Sequence, residues 1–491
     1  MTRRRRRRPL LGPLLVVLAI AAIPAIALFA AYRWADDRAD ASDAAEPVPP
    51  TAVPVAGATV GAPLNTELLT VRRVPTAIAR AQSVDAFAAE LSPVLASLND
   101  RSCGAVSVDG LPVAATNADE AVIPASAHKV VIAAVALEIL GPDFVYETSA
   151  AAATAPIDGV VAGDLYLVGG GDPLLTSDWY PTSNLERYPV LSPTRLEQLA
   201  DDLVGAGVTA VDGGVIGDGS RYDDEWYAPG WGDGVAGLDA GPYDALLVND
   251  ARVLGDAQRS ADPVLAGARE FQRLLTERGI TVGGEPGTGV APADAVDLAT
   301  IESVPLSELV GEMLINSDNN TAELVLKEIG LAASGAGTRT AGADAVIATL
   351  AEWGIDTDGL VIADGSGLAP GNQLNCAALL TVLAHTDLAA ALPVAGETGT
   401  LDDVFTDHPL AGQLTGKTGT LNNPPFNIDP PAVKALAGYV PVDGGGAIEY
   451  VLILNGPTIS DQSEYRPTWN ALADALATYP NGPTPAELGP R

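Results

Sequence analysis

Residues 124–142 read PASAHKVVIAAVALEILGP. Apolar residues recur at helical spacing, and Gly141-Pro142 ends the run, so the stretch predicts a strongly apolar helix. Ser126 and Lys129 open it three residues apart, which places them on one face about a turn from each other. A serine at a helix start is ordinarily a cap. A lysine in an apolar wall is different, because its charge is costly there. If burial lowers its pKa, the amine can take the proton of the serine hydroxyl.

Two further polar clusters lie downstream. Ser317-Asp318-Asn319 breaks the apolar rhythm between Met313-Leu314 and Ala322. It reads as a solvated turn between helices, or as a proton relay at Ser317 beside a side-chain amide at Asn319. The phrase GETGTLDD at 396–403 returns at 416–423 as GKTGTLNN, with Glu397 replaced by Lys417. Thr418-Gly419 suits a strand edge that another backbone approaches closely. Lysine in the second copy offers a positive charge to a carboxylate, and glutamate does not. Only four lysines occur, at 129, 327, 417 and 434, so each is informative.

Around these clusters the chain divides by texture. Residues 1–8 form a basic tail with arginine at positions 3–8, and residues 9–32 contain no charge. As a helix, residues 9–32 would span roughly 36 Å, more than a ~30 Å hydrocarbon core. The arginines place the tail in the cytoplasm and everything beyond Tyr32 outside, at the cell membrane as a single-pass anchor. The alternative is a cleaved signal ending near Ala25-Ile26-Ala27, with the body secreted. Residues 33–75 are Ala-, Pro- and Asp-rich and read as a linker. Residues 76–158 and 299–478 carry helices and apolar strands. Residues 159–298 show short strands with Gly turns and two amphipathic helices, read as an inserted smaller α/β domain. The expected fold is α+β: an antiparallel sheet with helical cover, an insert, and one N-terminal transmembrane helix.

Composition excludes some classes of function. Sixty-two acids against 27 bases give a net charge of −35, which repels phosphate backbones, so no nucleic-acid partner is expected. Two cysteines and three scattered histidines offer no metal-ligand spacing. Cys103 and Cys376 either pair, as an oxidising compartment allows, or are two separate buried thiols.

Ser126-Ala-His-Lys129, Ser317-Asp-Asn319 and Lys417-Thr-Gly419 occur in that order, and with them the chain resembles the penicillin-binding protein/serine β-lactamase superfamily. More narrowly it resembles the class C low-molecular-mass D-alanyl-D-alanine carboxypeptidase/endopeptidases. LYLVGGGDPLLT (165–176), ADGSGLAPGNQLN (363–375) and LPVAGETGTL (392–401) carry the same likeness, over about 90–456. The resemblance implies a β-lactamase/transpeptidase-like fold and a penicillin-sensitive serine peptidase acting on peptidoglycan stem peptides, with β-lactams as inhibitors and no cofactor or metal.

It also implies roles. Ser126 attacks the carbonyl between two D-alanines, Lys129 is the base, and Ser317 passes the proton to the leaving amine. Asn319 holds the substrate backbone, and Lys417 and Thr418 bind the terminal carboxylate. The N–H groups of Ser126 and Thr420 form the oxyanion hole, and Asp172 contributes to stem recognition. Three features depart from the pattern: His128 within the first motif, a short separation from Ser126 to Ser317, and Pro370 where relatives often carry an arginine. Two alternatives remain, a serine β-lactamase and an inactive cell-wall scaffold on the same fold. A class A β-lactamase would need a deacylating glutamate, and none of Glu186, Glu197, Glu225, Glu270 and Glu277 stands in a Glu-x-x-Leu-Asn setting.

Overall fold

The computed structural model describes residues 74–489, apart from 184, 186, 187, 233, 234, 423–430 and 443–445. The basic tail, the apolar run 9–32 and nearly all of the linker lie outside the described residues. Among the described residues no helix is long and apolar enough to cross a membrane.

The chain runs through α1 (Val74–Ala96), the hairpin β1 (Cys103–Val108) and β2 (Leu111–Thr116), and helix α2 (Lys129–Leu140). There follow β3 (Glu147–Ala152), β4 (Leu165–Val168), α3 (Leu196–Gly205), β5 (Val215–Asp218), α4 (Pro263–Glu277), β6 (Gly287–Thr288) and β7 (Val296–Glu302). Four helices come next: α5 (Leu306–Asn316), α6 (Asn319–Ser334), α7 (Arg339–Glu352) and α8 (Cys376–His385). The chain closes with β8 (Thr415–Leu421), β9 (Ala432–Pro441), β10 (Ala447–Gly456) and α9 (Gln462–Leu476), apart from a last short turn of helix.

The main sheet is antiparallel in the order β8-β9-β10-β1-β2. Its strands alternate two cores. Val433, Ala435, Ala437 and Tyr439 of β9 face the core that holds α2, α5, α6 and α8. Leu436 and Val440 face the other, with Phe87 and Leu91 of α1 and Trp469 and Leu472 of α9. Helices thus cover both faces, which is why these strands read as unbroken apolar runs. Helix α2 lies inside the first core and is buried continuously from Lys129 to Ala136. Gly141, at φ 85°, ends it as the sequence predicts.

Residues 147–302 build a second sheet in the order β6-β5-β4-β3-β7, on which Leu199 and Leu203 of α3 and Phe271 and Leu275 of α4 pack. Strands β6, β5 and β4 run parallel, and β3 is antiparallel to both β4 and β7. This sheet takes in Glu147–Ala152 and Val296–Glu302. The segment ETSAAA carries little β-branched or aromatic signal; its pairing with two neighbours makes it a strand.

Cys103, at the start of β1, and Cys376, at the start of α8, form a disulfide. It resolves the open choice in favour of pairing. The closed loop spans 273 residues of separation, for which the chain-entropy model gives a stabilisation of about 5.6 kcal/mol. Replacing both cysteines by alanine is expected to lower the melting temperature by several degrees, measured by scanning calorimetry with and without reductant.

Candidate active site

The turn that carries Ser126 is a short 3-10 segment, Ala125–His128, that runs directly into α2. Ala125 sits at φ 48°, a left-handed conformation costly for a residue with a Cβ. Three contacts hold the turn in place. Asn455 of β10 takes the Ile123 N–H at 3.0 Å and donates to its carbonyl at 2.9 Å. Gly419 of β8 approaches so closely that a Cβ there would stand 2.8 Å from the Pro124 carbonyl oxygen. Gly367, at φ 83°, lies where a Cβ would come within 2.1 Å of the Ala125 carbonyl oxygen. The glycines of Lys-Thr-Gly and Asp-Gly-Ser-Gly-Leu are therefore spacers that let two segments close on Ser126.

Lys129 is fully buried. Its Nζ lies 3.1 Å from Ser126 Oγ, 2.7 Å from Asn319 Oδ1 and 2.7 Å from the Ser366 carbonyl oxygen. The last two groups can only accept, whereas a hydroxyl can also donate. A neutral Lys129 keeps two donated bonds and turns its lone pair to the Ser126 O–H. Burial is the main cause that lowers its pKa to about 8; Asp318, Asp364 and Glu323 pull the other way. About one lysine in ten would then be neutral at pH 7, against a few in ten thousand at the ordinary value.

The segment that presents the Ser366 carbonyl is itself tied down by two buried carboxylates. Glu323 of α6 accepts the Gly365 and Ser366 N–H groups at 3.0 and 2.8 Å. Asp364 accepts from Gly367 and Ala369 N–H, Asn372 Nδ2 and Trp231 Nε1. Neither carboxylate stands in the three motifs.

Ser317-Asp318-Asn319 is a turn between helices, and it lines the cleft as well. Ser317 ends α5 in the left-handed region at φ 59°, and Asp318 caps α6 by accepting the Thr321 N–H. Lys417 Nζ donates to Ser317 Oγ at 2.8 Å and to the Thr418 carbonyl at 2.8 Å. Lys417 is 0% exposed, and burial, with Lys129 and Lys434 as like charges, holds its pKa well below the usual lysine range. Asn319 Nδ2 donates one N–H to the Asp239 carbonyl at 2.9 Å, which leaves its second for a ligand.

Ser126, Ser317, Asn319, Thr418 and Thr420 line one cleft of about 850 Å³. The other expected residues stand as follows. Lys417 does not line that cleft; it lies behind it, with its amine on Ser317. Asp172 is 1% exposed and absent from the lining, while its neighbours Pro173 and Leu174 are among the lining residues. Its Oδ1 accepts the Leu174 N–H, and burial raises its pKa to about 6. The two GTL phrases also differ: Gly399–Leu401 is a 3-10 turn with Glu397 exposed, and only the second copy is a strand. His128 is buried too, and burial pushes its pKa down to about 4, so it is neutral near pH 7.

With this geometry in view, the sequence can be compared with known proteins. The profile of the D-Ala-D-Ala carboxypeptidase 3 (S13) family matches residues 98–260 and 246–479. The chain belongs to that family. It is 30% identical over 442 residues to a D-alanyl-D-alanine carboxypeptidase of Actinomadura sp. (strain R39), covering 72% of this chain and 77% of that one. Carboxypeptidase DacB of Mycolicibacterium smegmatis is 29% identical over 480 residues, covering 93% and 95%. Penicillin binding protein 4 (dacB) of Haemophilus influenzae shares the fold, with a TM-score of 0.64 at 21% identity, over 79% of this chain and 98% of that one. This member of the family is a serine-type DD-peptidase of penicillin-binding-protein architecture.

Two groups of cleft residues escaped the reading of the sequence. Lys434 on β9 carries no motif, although the scarcity of lysine marked it. Tyr180 and Tyr188 line the cleft from the insert, in a segment with no local signature.

Proposed function

We propose that this chain hydrolyses the terminal D-alanyl-D-alanine bond of peptidoglycan stems through an acyl-enzyme on Ser126. The observation that carries the reading is the Lys129 amine, shared between Ser126 Oγ and two groups that can only accept. Ser126 Oγ forms a bond to the carbonyl carbon while its proton passes to neutral Lys129. The backbone N–H groups of Ser126 and Thr420 take the developing oxyanion, an effect of about 3–4 kcal/mol per donor. The tetrahedral centre collapses, the C–N bond breaks, and Ser317, backed by Lys417, delivers a proton to the departing amine. The remaining Asn319 N–H and the Thr418 hydroxyl hold the substrate. Water then cleaves the ester and releases the trimmed stem. β-Lactams would acylate the same serine.

Glu312 is the one glutamate among the described lining residues, and both its oxygens accept backbone N–H groups, from Leu191 and Ser192. That favours slow deacylation of a penicillin adduct over β-lactamase turnover. The basic tail, the apolar run 9–32 and the disulfide support a body held outside the cytoplasmic membrane.

Purified protein should release D-alanine from an N-acylated D-Ala-D-Ala peptide. A base must be neutral, and the Lys129 pKa is lowered to about 8, so kcat/KM should climb with pH through that value. Failure to release D-alanine at any pH would overturn the reading. A profile flat between pH 6 and 9 would remove Lys129 as the base.

A further inference from the structure

Three of the four lysines bond residues that line the cleft, and they do not stand alike. Strands β8 and β9 pair so that Thr420 lies directly opposite Lys434. Thr418, two residues before Thr420, shares its face of the strand. Thr418, Thr420 and Lys434 all line the cleft. Lys434 Nζ donates to Thr420 Oγ1 at 2.8 Å. The same ammonium stands 4.4 Å from the ring centre of Tyr465 and 5.2 Å from that of Trp469, both on α9. Such a platform holds a cation in place electrostatically while its head points past the rings. Trp469 is anchored in the core between α9 and the sheet, so the platform is rigid. Lys417 stands differently: it is fully buried, and its amine bonds Ser317 Oγ and the Thr418 carbonyl.

We propose that Lys434, with the Thr418 and Thr420 hydroxyls, is the cation that meets the carboxylate of the departing residue, and that Lys417 serves Ser317 instead. This rests on the D-Ala-D-Ala reading above. An incoming carboxylate accepts from the two hydroxyls and draws the Lys434 ammonium, already bonded to one of them, into a charge-assisted contact. The pairing puts the charge that selects a free C-terminus on β9, one strand in from the edge strand that carries Lys-Thr-Gly. Lys434 thereby sets the preference for leaving groups that end in a carboxylate over neutral ones.

The test compares two substrates on the full chain: a D-alanyl thioester ending in a carboxylate, and the same thioester as its methyl ester. The readout is the ratio of their kcat/KM values, which does not depend on how much of a variant is folded. Lys434→Met should lower that ratio about tenfold, and Lys434→Arg should keep it near that of the parent. Lys417→Met should depress hydrolysis of both substrates and leave the ratio in place. An unchanged ratio in Lys434→Met, or a ratio that collapses in Lys417→Met alone, overturns the assignment. If the parent protein cleaves neither thioester, the D-Ala-D-Ala reading falls, and this assignment falls with it.

Discussion

Ser126→Ala should take up no labelled penicillin, and its peptide turnover should fall by about 10⁴- to 10⁶-fold. The change removes a single hydroxyl from a half-buried position, together with one contact to Lys129 at 3.1 Å. Lys129 keeps its bonds to Asn319 Oδ1 and the Ser366 carbonyl, so the pocket should survive. Intact-mass spectrometry reads the adduct directly, and calorimetry checks the fold. A parent protein that gains the mass of one penicillin, beside a variant that gains none, fits the assignment. An adduct of equal yield in the variant would move the nucleophile to another side chain.

Lys417→Glu rewrites the second phrase as the first, and it should reduce turnover by at least a hundredfold. The site of the lysine explains why. It is closed to solvent, and its amine bonds Ser317 Oγ and a carbonyl oxygen. A carboxylate there faces that carbonyl without a proton to offer it, and an uncompensated buried charge costs roughly 3–5 kcal/mol. Ser317 loses the donor that orients its hydroxyl, so protonation of the leaving amine should suffer most. Single-turnover kinetics would show slow acylation by peptide substrates. Wild-type turnover in this variant would remove Lys417 from the mechanism.

The legibility of this chain in its sequence depends on range. The central helix could be read because burial on all sides demands an unbroken apolar run, so Ser126 and Lys129 stood out against it. Ser317-Asp318-Asn319 was legible as a break in rhythm, and it is one, with a left-handed Ser317 and a capping Asp318. The two GTL phrases show the limit. One short string forms a strand where β9 pairs with it, and a 3-10 turn where it has no such partner. Local propensity cannot separate them, because strand formation here depends on cross-strand neighbours. Lys434 and Glu323 were missed for a related reason. Each acts through a contact between distant segments, with Thr420 in one case and Gly365-Ser366 in the other. Asp172 is bound locally, by the Leu174 N–H two residues on.

The cross-link between Cys103 and Cys376 encloses the whole insert, since β3 to β7 fall between them in sequence. A protease that nicks one of the insert's surface turns therefore cuts the polypeptide without dividing the molecule. The fragment bearing Ser126 and the fragment bearing Lys417 stay covalently joined through sulfur. Both halves of the pocket can thus outlast such a cut, until a reductant parts them.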